Sequence, residues 1–143
     1  MVGKKMPMSL FSMLIMIQFL LLIIEFIIGM AVNLYISIPE PIKGPFFMSS
    51  DATPLLVHIV LGALVAILGV LIFFVALMRG SRRDIIFTAF AFIFVVTAAI
   101  SGLLFLFDGQ NPVFSLLMAV FFIFAFSAYL FPVAQSVKGE IAS

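Results

Sequence analysis

Two ionisable side chains, Glu25 and His58, sit inside long apolar runs of this chain. Titratable groups are costly in hydrocarbon; where they occur they face a bundle interior or water and mark proton relays, ion paths or cofactor contacts. Glu25 is suited to proton exchange, or to burial as a neutral carboxyl hydrogen-bonded to Thr97 or a backbone carbonyl, which avoids the cost of burying a charge. His58 is suited to axial ligation of b-type haem iron through a neutral imidazole nitrogen, with the Met118 thioether as second ligand. The same imidazole also suits hydrogen bonding to a quinone headgroup or to a neighbouring helix. His58 is the only histidine, whereas methionine fills 9 of 143 positions, so a methionine at a suitable depth arises readily by chance.

Other chemistries are excluded. The chain has no cysteine, which removes disulfides, iron–sulfur ligation, thiolate catalysis and covalently attached haem. It carries no His/Asp/Glu cluster with zinc spacing, no second carboxylate near Glu25, no nucleophile with an adjacent base and no glycine-rich phosphate loop. A self-contained enzyme is not expected.

Helical geometry at about 100° per residue gathers the remaining candidates. Gln18, Glu25, Gly29 and Asn33 share an arc of about 80°, so the polar and small residues of the first helix form one face that should line a bundle. His58, Gly62, Val65, Gly69 and Ala76 share about 60° on the second, a histidine above a groove of small residues. Gly62 and Gly69 would leave an opening against a flat macrocycle, or let a neighbouring helix approach closely. The third helix offers Thr97 and Ser101 with Gly102 beside them, and the fourth offers Ser115, Met118, Ala119, Phe122 and Tyr129. Counted from the outer ends, His58, Met30, Ser101 and Met118 lie roughly 6 to 9 Å deep and Glu25 roughly 16 Å deep.

The elements that position these residues follow from composition. The chain is 66% hydrophobic and 9% charged, with mean hydropathy +1.43, against roughly 45 to 50% apolar and 25% charged in soluble domains. Its solvent is the lipid bilayer, and a net charge of +1 gives no reason to expect nucleic acid. A first apolar run over 10–36 exceeds the roughly 20 residues needed to span hydrocarbon. Lys4 and Lys5 imitate the start of a signal peptide, but so long a run is read as a retained helix. Ser37–Ala52 holds Pro39, Pro41 and Pro45 and must be a loop, with Phe46, Phe47 and Met48 on the membrane interface. Thr53 followed by Pro54 reads as cap and first turn of a second helix over 54–78. Ser81 and Asp84 have the form of a capping box for a third over 83–107. Gly109 suits a left-handed C-cap, and Asn111-Pro112 begins a fourth over 112–134, bent by Pro132.

The expected fold is thus all-α and integral to the membrane: one transmembrane domain over 1–143, a four-helix up-down-up-down bundle. Lys4, Lys5, Arg79, Arg82, Arg83 and Lys138 fall on one side and only Lys43 on the other. The positive-inside rule places both termini and the basic loop in the cytoplasm and the protein in the cell membrane. Tyr35 and Tyr129 are expected as interfacial anchors near opposite faces.

Gly29–Leu34 (GMAVNL), His58 with Gly62 four residues on, Ser101–Leu106 (SGLLFL) and Ser115–Ala119 (SLLMA) together resemble uncharacterised prokaryotic four-helix membrane proteins across most of the chain. That likeness implies a topology and no activity. A glutamate embedded on the first of four helices resembles the small multidrug resistance transporters, implying proton-for-cation exchange by a dimer through Glu25. The strong basic bias and the absence of tryptophan depart from them. Helical b-type cytochromes are similar in architecture, but they carry histidine pairs, so His58 alone implies at most one methionine-assisted haem. The expectation drawn from the residues is a small subunit of a larger membrane assembly, most plausibly respiratory or electron-transferring, its partners being other integral membrane subunits. Haem b or quinone would lie at His58, Met118, Gly62, Gly69 and Ser101, with Glu25, Asn33 and Thr97 as the polar interior. The alternatives are a structural accessory subunit without cofactor and a proton-coupled carrier using Glu25.

Overall fold

The computed structural model describes residues 9–39 and 44–141; Lys4, Lys5, Pro41 and Lys43 lie outside them. All regular structure among the described residues is helical. Four long helices, α1 (Leu10–Tyr35), α2 (Thr53–Arg79), α3 (Arg82–Phe107) and α4 (Pro112–Ile141), are each long and apolar enough to cross a membrane. The chain is a multi-pass membrane protein by that measure.

Local chemistry sets the helix ends. Ser9 caps α1, its hydroxyl accepting from the Ser12 N–H at 3.2 Å. Gly80 closes α2 in the left-handed region at φ 69°, where a side chain would be strained. Ser81 then accepts from the Asp84 N–H at 3.4 Å, the expected cap of α3. Gly109 takes its expected left-handed conformation at φ 65°, and Asn111 Oδ1 accepts from the Val113 N–H at 3.0 Å to start α4.

Two helix boundaries and one loop differ from the sequence expectation. Thr53 is not a cap: a 3-10 turn, Ser50–Ala52, leads straight into α2, so Thr53 is already helical. Helix α4 runs through Pro132 to Ile141 instead of ending near Ala134. A proline sacrifices only the hydrogen bond at its own nitrogen, and in a packed membrane helix its neighbours absorb the distortion. The α1–α2 loop also folds onto the bundle. Phe46 and Phe47, half-buried in the one-turn helix Gly44–Phe47, pack on Val32, Leu55 and Leu106 and close the end of the bundle opposite the Arg79–Asp84 turn, while Met48 alone of the three stays fully exposed.

The helices pack as a ring, α1 on α2, α2 on α3, α3 on α4 and α4 on α1; across the diagonal, contact is by long side chains such as Tyr129 of α4 reaching Gly69 of α2. Along α1 and α2 the contacts pair residues in opposite order: Gly29 meets His58, Gln18 meets Val65 and Ser9 meets Arg79. Small and medium side chains fill the centre, Val65, Ile72, Ala76, Ala91, Val95, Ala98, Ala125 and Ala128 among them, while large apolar residues such as Ile67, Phe74 and Leu116 face outward. Because lipid tails are as apolar as leucine, close backbone approach and polar contacts hold the helices together, not the burial of oily surface. At the basic end the Arg79 guanidinium lies 4.5 Å from the Phe11 ring centroid and 3.8 Å from Asp84, tying the start of α1 to the α2–α3 turn.

Candidate functional site

Helix α1 buries a stripe of Phe11, Ile15, Gln18, Leu22, Glu25 and Val32, so the carboxyl of Glu25 is carried into the bundle by the same periodicity that places its leucine and isoleucine neighbours. Opposite it, α2 presents Gly62. A Cβ there would stand 2.9 Å from Glu25 Oε1, so the missing side chain of Gly62 is the space the carboxyl occupies. One turn along α1 toward the α1–α2 loop the relation reverses: a Cβ on Gly29 would stand 2.8 Å from His58 Cε1, so the imidazole lies over the bare backbone of α1. Two glycines on facing helices thus seat two polar side chains against each other.

The result is a buried pair. Glu25 Oε1 and His58 Nδ1 are 2.9 Å apart, with side-chain exposures of 8% and 20%. The ring N–H does not aim along the line to the oxygen, so the contact is a close approach and not an aligned hydrogen bond. Glu25 Oε2 has no partner among the described residues. His58 Nε2 makes no hydrogen bond to a described residue and, unlike Nδ1, is not one of the fully enclosed atoms. With the Glu25 carboxyl against Nδ1, Nε2 is the ring nitrogen that faces away from the pair, where an imidazole can accept or donate a hydrogen bond to a ligand.

The pair was not expected, because counting from helix ends put the two residues at different depths. The 3-10 turn Ser50–Ala52 extends the N-terminal end of α2 by about 6 Å, so His58 stands farther from the helical end than a start at Thr53 implied.

The other candidates are scattered. Thr97 does not reach Glu25; its hydroxyl donates to its own helix at Ile93 O, 2.8 Å away, and Ser101 donates to Thr97 O at 2.9 Å. Asn33 is exposed near the C-terminal end of α1. Met118 packs on α3, its Sδ 3.0 Å from where a Cβ of Gly102 would be, while the neighbours of His58 are on α1. His58 and Met118 stand on diagonal helices, α2 and α4. The opening expected beside Gly62 and Gly69 is filled from within the bundle, by Glu25 at the first and by Tyr129, Phe92 and Gln18 at the second. Among the described residues no three His, Cys, Asp or Glu side chains gather as a metal-binding set.

One buried polar group escaped the sequence reading. Tyr129, expected at the interface, is completely buried beside Gln18. The signal was present: Tyr129 lies nine residues from Lys138, about 13 Å along the helix and too deep for an interfacial ring. Gln18 Nε2 donates to Val65 O at 3.0 Å, whereas Gln18 Oε1 and the Tyr129 hydroxyl are unpartnered among the described residues.

No protein-family model, characterised protein or solved structure matches this chain.

Proposed function

We propose that this protein is a small subunit of a larger membrane assembly in which the Glu25–His58 pair handles protons for a bound quinone. The four helices cross the cell membrane up-down-up-down with both termini and the Arg79–Asp84 turn in the cytoplasm, a reading supported by the distribution of basic residues and the opposed pairing of α1 and α2. The observation that carries the proton role is the 2.9 Å approach of Glu25 to Nδ1, with Nε2 left without a partner among the described residues.

In this reading His58 Nε2 hydrogen-bonds a headgroup oxygen and exchanges a proton with it, while Glu25 restores the proton state of the ring through Nδ1. The chain supplies protons only; the electrons that balance quinone reduction come from a redox centre of a partner subunit. A quinone is preferred to haem because the space beside Gly62 and Gly69 is taken by the protein's own side chains.

The test is titration of the detergent-solubilised protein with a short-chain quinone, followed by the ¹⁵N shift of the His58 ring. Binding should move Nε2 more than Nδ1, and His58→Gln should weaken it at least about tenfold, roughly 1.4 kcal/mol. Unchanged ring shifts at saturating quinone would remove the proposal. A Soret band on reconstitution with haem that His58→Gln abolishes would return the site to haem.

A further inference from the structure

The second polar cluster lies on the same stripe of α1, two turns inward from Glu25. We infer that Gln18 and Tyr129 form an inner proton station, through which Glu25 exchanges its proton with the end of the bundle that carries the Arg79–Asp84 turn. The inference rests on the proton role proposed for Glu25.

Gln18 and Tyr129 are each fully buried, on α1 and α4, beside Gly69 of α2. The Gln18 amide is anchored by its donor, since Nε2 is held on Val65 O, and this turns Oε1 into a fixed acceptor. The Tyr129 hydroxyl and the Gln18 amide meet beside Gly69, yet neither Gln18 Oε1 nor the Tyr129 oxygen closes a well-formed hydrogen bond among the described residues. Two unsatisfied oxygens on adjacent buried side chains in an apolar interior are what a single buried water satisfies. The polar line continues inward: Pro132, itself fully buried, has no N–H to give the Ala128 carbonyl, which therefore lacks its helical partner one residue from Tyr129.

Outward, Leu22 separates the station from Glu25. It is 1% exposed and lies between Gln18 and Glu25 on the stripe, across an axial gap of about 10 Å. An apolar side chain between two polar stations is a dewetting gate, passable when water enters and closed when it leaves. Protons then move by relay: the Tyr129 hydroxyl passes its proton to a neighbouring water as it receives another, and Glu25 takes up the proton at the end with no net change in the station. Among the titratable residues of the four helices, His58 of α2 faces Glu25 directly, α4 carries Tyr129 with Lys138 and Glu140 at its far end, Tyr35 ends α1, and α3 has none between Asp84 and Asp108.

The experiment uses the full chain in sealed phosphatidylcholine vesicles, oriented by capturing a C-terminal tag before closure. A caged-proton flash is confined to one side, and the carboxyl carbonyl band of Glu25, identified by its loss in Glu25→Gln, is followed by time-resolved infrared spectroscopy. Tyr129→Phe should slow protonation from the basic-turn side about tenfold or more, leaving the rate from the other side unchanged. Leu22→Ala should quicken the same arm. Gln18→Leu, a second route to the same loss, should behave as Tyr129→Phe does. Rates unchanged in Tyr129→Phe and Gln18→Leu, or slowed equally from both sides, overturn the inner station. A Glu25 band that responds from neither side overturns the proton role of Glu25 itself.

Discussion

A Cβ placed on Gly62 would come within 2.9 Å of Glu25 Oε1, the far end of a flexible side chain that can swing aside. Alanine also fits a helix better than glycine by up to about 1 kcal/mol. Gly62→Ala should therefore leave the unfolding free energy within about 1 kcal/mol of the parent while separating Glu25 from His58. Detergent unfolding reads the first quantity and the His58 Nδ1 shift the second; a parental Nδ1 shift in a folded Gly62→Ala protein would show that the carboxyl does not need this glycine. Glu25 and His58 were legible in the sequence because titratable side chains are rare in apolar runs. Their contact was not, since it depends on the register between α1 and α2, which a 3-10 turn in the intervening loop shifts. Tyr129 was misread because its type suggests an interface while its distance from the helix end does not.

Among the elements, the α2–α3 turn separates conformational from packing effects. Gly80 has φ 69° and nothing within 4 Å of a Cβ position, so a side chain there meets no neighbour and any loss comes from the backbone alone. Left-handed backbone costs an L-residue roughly 1 to 2 kcal/mol. Gly80→Ala should destabilise by about 1 kcal/mol and Gly80→Asn by less, because asparagine tolerates this region better. Equal stability of all three in denaturant titration would mean that the turn relaxes to another conformation. Such turn chemistry is readable from sequence, as Ser81, Gly109 and Asn111 bear out. The continuation of α4 past Pro132 is less so, because whether a proline ends a helix depends on the packing around it, which no local pattern records.

For the whole molecule, the direction of insertion decides which compartment each half of the polar interior serves. Six of the seven basic residues fall at one end of the expected bundle, an asymmetry strong enough to set one orientation where loops are as short as these. The absence of cysteine makes the question directly measurable, because any thiol introduced is the only one present. Arg83, in the first turn of α3, and Asp108, in the turn before α4, are both exposed. In intact cells Asp108→Cys should react with a membrane-impermeant maleimide, and Arg83→Cys only after permeabilisation. The reverse pattern would invert the bundle and place the Gln18–Tyr129 station toward the outside. Labelling of both in sealed cells would mean two insertions of one chain, as the antiparallel carrier dimer requires, and would shift the reading of Glu25 from quinone protonation toward transport.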